Sequence, residues 1–279
     1  MSIASADHVK ELRDRTGAGM MDCKAALQAT NGNIEQAIDF LRKKGMASAA
    51  KRAGREAKEG LITSRVNGKK AVLVETNCET DFVARTDDFK NLTGMAMDEV
   101  LAGGESALGS EKLNARIAEL SGKIGEKMLV RRAKLAETKD GVFFTYIHSN
   151  NKLGVLVEIV APKSASNPAL EELGKNIAMQ IAASNPISLT RAEVPSIIVE
   201  REKAVFREEV KGKPENILEK IVQGKLDKFY QTQCLLEQPF IKDDKMSVQK
   251  LLDDASKKLG ETVKIQSFVR FQLGEAIAA

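Results

Sequence analysis

There is no tryptophan in this sequence, there are two tyrosines, and the only histidines are His8 and His148. So few imidazoles give little support to a zinc site or to histidine-based acid–base catalysis. Cysteine is scarce too: Cys23, Cys78 and Cys234 are odd in number, far apart, and form no C-x-x-C pair. That pattern excludes a disulfide framework and predicts free buried thiols in a reducing, cytoplasmic setting. No apolar run approaches the roughly 18 residues of a membrane span, so no membrane partner is expected. The opening Met1-Ser2-Ile3-Ala4-Ser5-Ala6-Asp7 has neither a basic stretch nor an apolar core, and no secretory signal is expected there. A one-signed field is missing as well. The 43 basic residues face 39 acidic ones, for a formal net charge of +4. Charge that balanced gives no long-range attraction for nucleic acid.

What remains is the composition of a folded soluble protein: 279 residues, 43% of them hydrophobic. That length accommodates one large domain or two or three small ones. The stretch 1–45 reads as a compact three-helix unit. Val9, Leu12 and Arg13 lie on a first helix that stops at Thr16-Gly17-Ala18-Gly19. Asp22 is placed to cap a second helix, and Asn33 a third, whose Ile34, Ala37, Ile38 and Leu41 form an apolar stripe ending at Gly45. Residues 46–59 are rich in Ala, Lys, Arg and Gly and read as a linker. Its cations Lys51, Arg52, Arg55 and Lys58 have no interleaved aromatic residue on which a base could stack, so a solvated helical segment is expected.

Residues 60–140 and 141–190 repeat one plan. Leu61–Val66, an Asn67-Gly68 turn and Ala71–Glu75 predict a hairpin, followed by a helix over 87–101 with Phe89, Leu92, Ala96 and Val100 on one face. Gly141-Val142, a turn at Ser149-Asn150-Asn151-Lys152, and Val155-Leu156-Val157-Glu158 predict a second hairpin, followed by a helix carrying Leu173, Ile177 and Ile181. Residues 191–228 interrupt this second copy. A charged helix keeps Ile198, Val205, Phe206 and Val210 on one stripe and ends at Gly212-Lys213-Pro214. A second helix, with Ile217, Leu218, Ile221 and Val222 inward, is expected to run to Gly224, completing an inserted antiparallel helical hairpin. Residues 229–279 return to the second copy with a helix over 248–259 and a strand over 263–273. The expected fold class is therefore α+β, with a duplicated hairpin-and-helix core.

Function concentrates in Asn77-Cys78-Glu79-Thr80-Asp81-Phe82-Val83-Ala84-Arg85. Phe82 is the one large apolar side chain among polar neighbours there, and it is either a core plug or an exposed anchor. Asp81, Asp87 and Asp88 fit a helix N-terminus better than a metal site. Met20 and Met21 are adjacent on a helix and cannot both face one core, so at least one should be exposed as an adaptable contact.

Two stretches carry a specific resemblance. Leu12-Arg13…Thr16-Gly17-Ala18-Gly19-Met20-Met21-Asp22-Cys23-Lys24-Ala25-Ala26-Leu27 and Asn77–Ala84 resemble the two signatures of the bacterial elongation factor Ts family. Lys123-Ile124-Gly125-Glu126, Gly154–Val157, Leu236–Phe240 and Phe271–Glu275 match in order, so the resemblance covers essentially the whole chain. It implies a guanine-nucleotide exchange factor that binds elongation factor Tu and promotes GDP release, with no catalytic centre and no cofactor of its own. It also implies a ubiquitin-associated-like N-terminal domain. By the family pattern Thr80, Asp81, Phe82 and Val83 disturb the partner's magnesium site, while Leu12, Arg13, Met20, Met21 and His148 contact the partner. In some members the helical hairpin serves self-association, so two outcomes stand open for its apolar stripe: a homodimer through that element, or burial of the stripe within the hairpin itself. Many members carry another partner-contacting helix after the Gly274-Glu275 region. This sequence runs to Ala279, and that contact is not carried over. The rival readings are a polypeptide-binding adaptor acting through the N-terminal unit and an RNA-binding protein using Lys51–Lys58. An enzyme lacks support, since neither a nucleophile–base pair nor a phosphate loop is evident.

Overall fold

The computed structural model describes residues 5–212 and 214–277. Met1–Ala4 of the opening stretch, Lys213 of the Gly212-Lys213-Pro214 break and the terminal Ala279 lie outside the described residues. The chain opens with α1 (Ala6–Thr16), α2 (Met20–Ala29) and α3 (Ile34–Arg52). Ser5 caps α1 by accepting from the His8 N–H, and Gly17 closes it at a φ of 66° while donating to the Arg13 carbonyl. Asn33 caps α3 by accepting from the Gln36 N–H. Leu12, Cys23, Ala26, Leu27 and Ala37 are fully buried between the three helices, with Val9, Ile34, Ile38 and Leu41 packed against them.

Two expectations are corrected here. The N-cap of α2 is Gly19, not Asp22, which lies in the first turn and pairs with Lys44 at 2.7 Å. Gly45 does not end α3, which continues to Arg52 and makes the first part of the expected linker helical. Gly45 is where α3 crosses α6 (Glu111–Ile124). A Cβ added at Gly122 of α6 would lie 3.0 Å from the Gly45 Cα, so the crossing uses the missing side chains.

Two three-stranded antiparallel sheets form the remainder of the core. The first has β1 (Glu59–Asn67), β2 (Lys70–Cys78) and β3 (Met128–Glu137), with β2 central. The second has β4 (Gly141–Ile147), β5 (Leu153–Val160) and β8 (Lys264–Gln272), with β5 central. Asn67 pairs with Lys70, so the first hairpin turns at Gly68-Lys69, one residue later than expected. Gly68, at the first central position, takes a φ of 59° that a side chain would resist. In both sheets the register of the central strand against the third strand shifts at the repeated Val-Leu-Val-Glu stretch: between Glu75 and Thr76, and between Glu158 and Ile159.

Helices α4 (Asp81–Ala84), α5 (Asp87–Gly103) and α6 cover one face of the first sheet, burying Val72, Val74, Phe89, Leu92, Val100 and Leu120. Helices α7 (Pro168–Ser184) and α10 (Val248–Leu259) cover the second, burying Val155, Val157, Ile177, Ile181 and Leu252. The alternation of side chains along β2 turns Ala71 and Leu73 the other way, into a third cluster with Ile62, Phe143, Leu156 and Phe271. This cluster joins the two sheets. The Ile62 N–H donates to the Asn151 carbonyl at 2.7 Å, and a Cβ at Gly154 would come within 2.5 Å of Ile62 Cγ2. β2 and β5 are buried on both faces, which explains their continuous apolar runs.

The insertion is a pair of helices, α8 (Ser196–Glu209) and α9 (Glu215–Gln233), joined by ion pairs Arg207–Glu219 and Lys225–Glu209. α9 passes through Gly224, correcting the expected stop. A glycine there costs about 1 kcal/mol of helix propensity, which burial of Val222 and Leu226 on either side offsets. A two-stranded piece, β6 (Pro239–Phe240) and β7 (Asp243–Ser247), leads into α10.

Candidate partner-binding surface

The segment leaving β2 is a single helical turn, α4, and its construction explains where each side chain points. Thr80 is the N-cap, and its Oγ1 accepts from the Val83 N–H at 3.4 Å. The same residue is gripped from outside: its N–H and its hydroxyl donate to the two oxygens of Glu126, at 3.0 and 2.7 Å. Asp81 accepts from Arg85 at 2.7 Å, four residues on. Adjacent residues on a helix face different directions, so Val83 and Ala84 enter the first core while Phe82 points away, 78% exposed. Phe82 is an anchor held out from the core. The core-plug alternative fails because Val83 fills that role, and the expectation that the Val83 side chain itself faces the partner is corrected: it is buried in the first core.

Next to this turn, the Cys78 thiol donates to the Thr80 carbonyl at 3.1 Å. Burial pushes its pKa up to about 12, and the Glu126 and Glu59 carboxylates add to that, so it remains a neutral packing group near neutral pH. Asp87 and Asp88 lie in the first turn of α5, and Asp88 pairs with Lys123 and Arg116. Among the described residues, no group of three or more His, Cys, Asp or Glu is arranged to hold a metal ion.

Met20 and Met21 stand 59% and 73% exposed on the first turn of α2, and Arg13 is exposed on α1. Leu12 is corrected: it is fully buried in the three-helix core, so its side chain packs the unit and does not face a partner. His148 sits exposed at the end of the second hairpin, its Nδ1 2.8 Å from the Tyr146 hydroxyl. The chain therefore presents these side chains on three separate elements. Among the described residues, no hydrogen bond or ion pair links Met20, Met21, Arg13 or His148 to the Thr80–Val83 turn.

Three basic residues at and beyond the end of α3 are committed within the molecule. Arg52 donates to the Ser121 carbonyl, Arg55 pairs with Glu79, and Lys58 pairs with Glu56. A cleft of about 680 Å³ lies between the N-terminal helices and α6. Among its lining cations Lys44, Lys112, Arg116 and Lys123 pair with Asp22, Glu99 and Asp88, Arg15 pairs with Glu35, and Arg52 donates to the Ser121 carbonyl. Glu126 ends one of the family-matching stretches, but its contact with Thr80, like that of Lys127 with Glu79, spans more than forty residues and has no signal in the motif itself. No helix among the described residues is long and apolar enough to cross a membrane.

Comparison with known proteins bears on the same stretches. The family model described as elongation factor TS matches residues 79–275, beginning at the turn that displays Phe82. Elongation factor Ts of Prosthecochloris aestuarii is 46% identical over 290 residues, covering 98% of this chain and all of the relative. That of Bartonella bacilliformis is 48% identical over 293 residues, covering 99% of this chain and 94% of the relative. That of Clostridium perfringens is 43% identical over 288 residues, with coverage of 98% and 94%. Identity at this level over nearly the full length of each protein leaves one assignment. The chain belongs to the elongation factor Ts family.

Proposed function

We propose that this chain acts in translation elongation as a guanine-nucleotide exchange factor for elongation factor Tu. It engages the GDP-bound and nucleotide-free partner, disturbs the partner's magnesium site, and speeds GDP release so that GTP can enter. The observation that carries this reading is Phe82, an exposed aromatic ring on a turn held at both ends by Thr80–Glu126 and by buried Val83. A GTPase holds GDP through phosphate-cradling amides and a magnesium ion, so an exchange factor need only displace the elements that place them. Phe82 wedges between elements of the partner, with Thr80, Asp81 and Val83 presenting it. Its burial contributes about 1.5–3 kcal/mol. The chain itself carries out no covalent step and is not an enzyme.

Coupling of this kind is reciprocal: whatever the chain subtracts from GDP affinity, GDP subtracts from the chain's affinity. Calorimetric titration of elongation factor Tu with this chain should therefore give weaker binding with saturating GDP and magnesium than with the nucleotide-free partner. Equal affinities would contradict the proposal.

In this reading α1–α3 form a ubiquitin-associated-like domain, and the two sheet units are a duplicated plan, which their matching register shifts support. Met20, Met21 and Arg13 form the N-terminal contact, and His148 the contact from the second sheet. Replacing Met20 and Met21 together with alanine should weaken binding to elongation factor Tu by about tenfold or more, through lost apolar contact area. Unchanged affinity by calorimetry would remove both residues from the interface. The adaptor alternative, a polypeptide-binding role for α1–α3 alone, predicts that capture of a partner survives Phe82→Ala and fails on deletion of residues 1–45.

The helical hairpin leaves Ile197, Val205 and Ile217 exposed even after Val222 and Leu226 are buried. These residues serve a homodimer. Replacing residues 199–223 with a short flexible linker should abolish any dimer seen by light scattering while preserving stimulated GDP release. Loss of exchange with a folded core would instead place the hairpin in the productive contact.

A further inference from the structure

One short segment touches both proposed contact surfaces. Ser121 ends the buried face of α6, and its carbonyl accepts from Arg52 Nη1 at 3.1 Å, at the end of α3. Its hydroxyl donates to the Glu126 carbonyl at 2.7 Å, which folds the stretch 121–127 back on itself. From that turn the two side chains at 126 and 127 part. The Glu126 carboxylate takes both Thr80 donors, at 2.7 and 3.0 Å, beneath Phe82. Lys127 reaches the other way, its ammonium donating to the Ala53 and Arg55 carbonyls at 2.6 and 2.8 Å, where the N-terminal helices end. The Lys127 N–H also donates to Glu79 at 2.7 Å, and Arg55 reaches the same carboxylate oxygen at 3.3 Å. Glu79 is thereby held below the usual carboxylate range, first by that N–H and then by Arg55. Within the same segment Gly122 packs against Gly45 of α3, a second close contact between the N-terminal helices and α6.

Resting on the exchange reading above, we infer that residues 121–127 are a coupling element that fixes the N-terminal helices and Phe82 relative to each other. Glu126 and Lys127 are its positioning residues. Two contact sites on one rigid body bind as one, because engagement of the first places the second at high effective concentration. Glu126 orients the turn that carries the wedge. Lys127 holds the N-terminal contact at the correct separation from it. The two residues therefore affect different kinetic quantities, which a purely structural role would not separate.

The test follows GDP release from elongation factor Tu at rising concentrations of each full-length variant, together with amide hydrogen exchange of the free chain. Lys127→Met keeps the backbone N–H to Glu79 and loses only the ammonium. It should raise the half-saturating concentration about tenfold at an unchanged maximal rate. Glu126→Ala should lower the maximal rate about tenfold with half-saturation little changed, and Glu126→Gln, which retains one oxygen for Thr80, should recover part of it. In the free chain Glu126→Ala should speed exchange at the Val83 and Ala84 amides, and Lys127→Met at Arg55. Unchanged amide exchange at those positions would overturn the inference. So would a shift of the same kinetic parameter by both variants in proportion to lost folded protein. If the unaltered chain fails to accelerate GDP release, the exchange reading falls, and amide exchange alone decides whether the coupling exists.

Discussion

Substituting Phe82 by alanine is expected to cut stimulated GDP release by about ten- to a hundredfold, the kinetic equivalent of losing about 1.5–3 kcal/mol of ring burial at the wedge. The fold should be untouched. The ring is 78% exposed and makes no contribution to the first core, and exposed substitutions of this kind change stability by no more than about 0.5 kcal/mol. Val83→Ala provides the contrast. Val83 lies in the core cluster beneath the turn, so truncating it should lower the melting temperature. A Phe82→Ala variant that melts early while exchanging normally would reverse these two roles. Circular dichroism and fluorescent-GDP release on the same samples distinguish the outcomes.

The largest expected stability effect lies elsewhere, at Glu75. Its side chain is fully buried on the central strand of the first sheet and accepts from Arg131 at 3.1 Å, from Arg132 at 2.6 Å and from the Gly274 N–H at 2.9 Å. The arginines continue to the chain beyond β8: Arg131 donates to the Glu275 carbonyl at 2.6 Å and Arg132 to the Glu275 carboxylate at 2.8 Å. The Arg132 guanidinium also lies 4.0 Å over the Phe271 ring. One buried carboxylate thus ties β2, β3 and the end of β8 together. Removing it leaves two cations without their central anion, which costs about 3–5 kcal/mol. Glu75→Ala should therefore lower the calorimetric melting temperature by roughly 10 °C at this chain size, with Glu75→Gln intermediate. A midpoint within a degree or so of the unaltered protein would show that the network contributes little.

The sequence made the hairpins legible because β2 and β5 are short continuous apolar runs bounded by turn residues, and it made α1 and α3 legible through the Gly17 and Asn33 caps. A glycine is not a stop at two positions where the local pattern predicts one. Gly45 lies inside α3 because α6 approaches it closely, and Gly224 lies inside α9 because its buried neighbours hold the helix. Neither reason is local. β3 is hard to read for a similar cause: Arg131 and Arg132 break its alternation, and only the buried Glu75 across the sheet explains them. The α6 stripe Leu113, Ile117, Leu120 and Ile124, with its Ser110 cap, is local and legible in principle. At the candidate site, the family signatures pointed to the right stretches, but the direction of each side chain was out of reach. Leu12 and Phe82 are both apolar residues in signature motifs, and the fold buries the first while it exposes the second. The grip of Glu126 on Thr80 spans 46 positions and has no short-range signal.

The most direct measurement is the dissociation of fluorescent GDP from elongation factor Tu in the presence of magnesium, with the chain added at less than one equivalent. The account predicts release well above the intrinsic rate, rising with added chain toward saturation, with each molecule of chain serving many of partner. Release at the intrinsic rate, whatever the amount of chain, would contradict it.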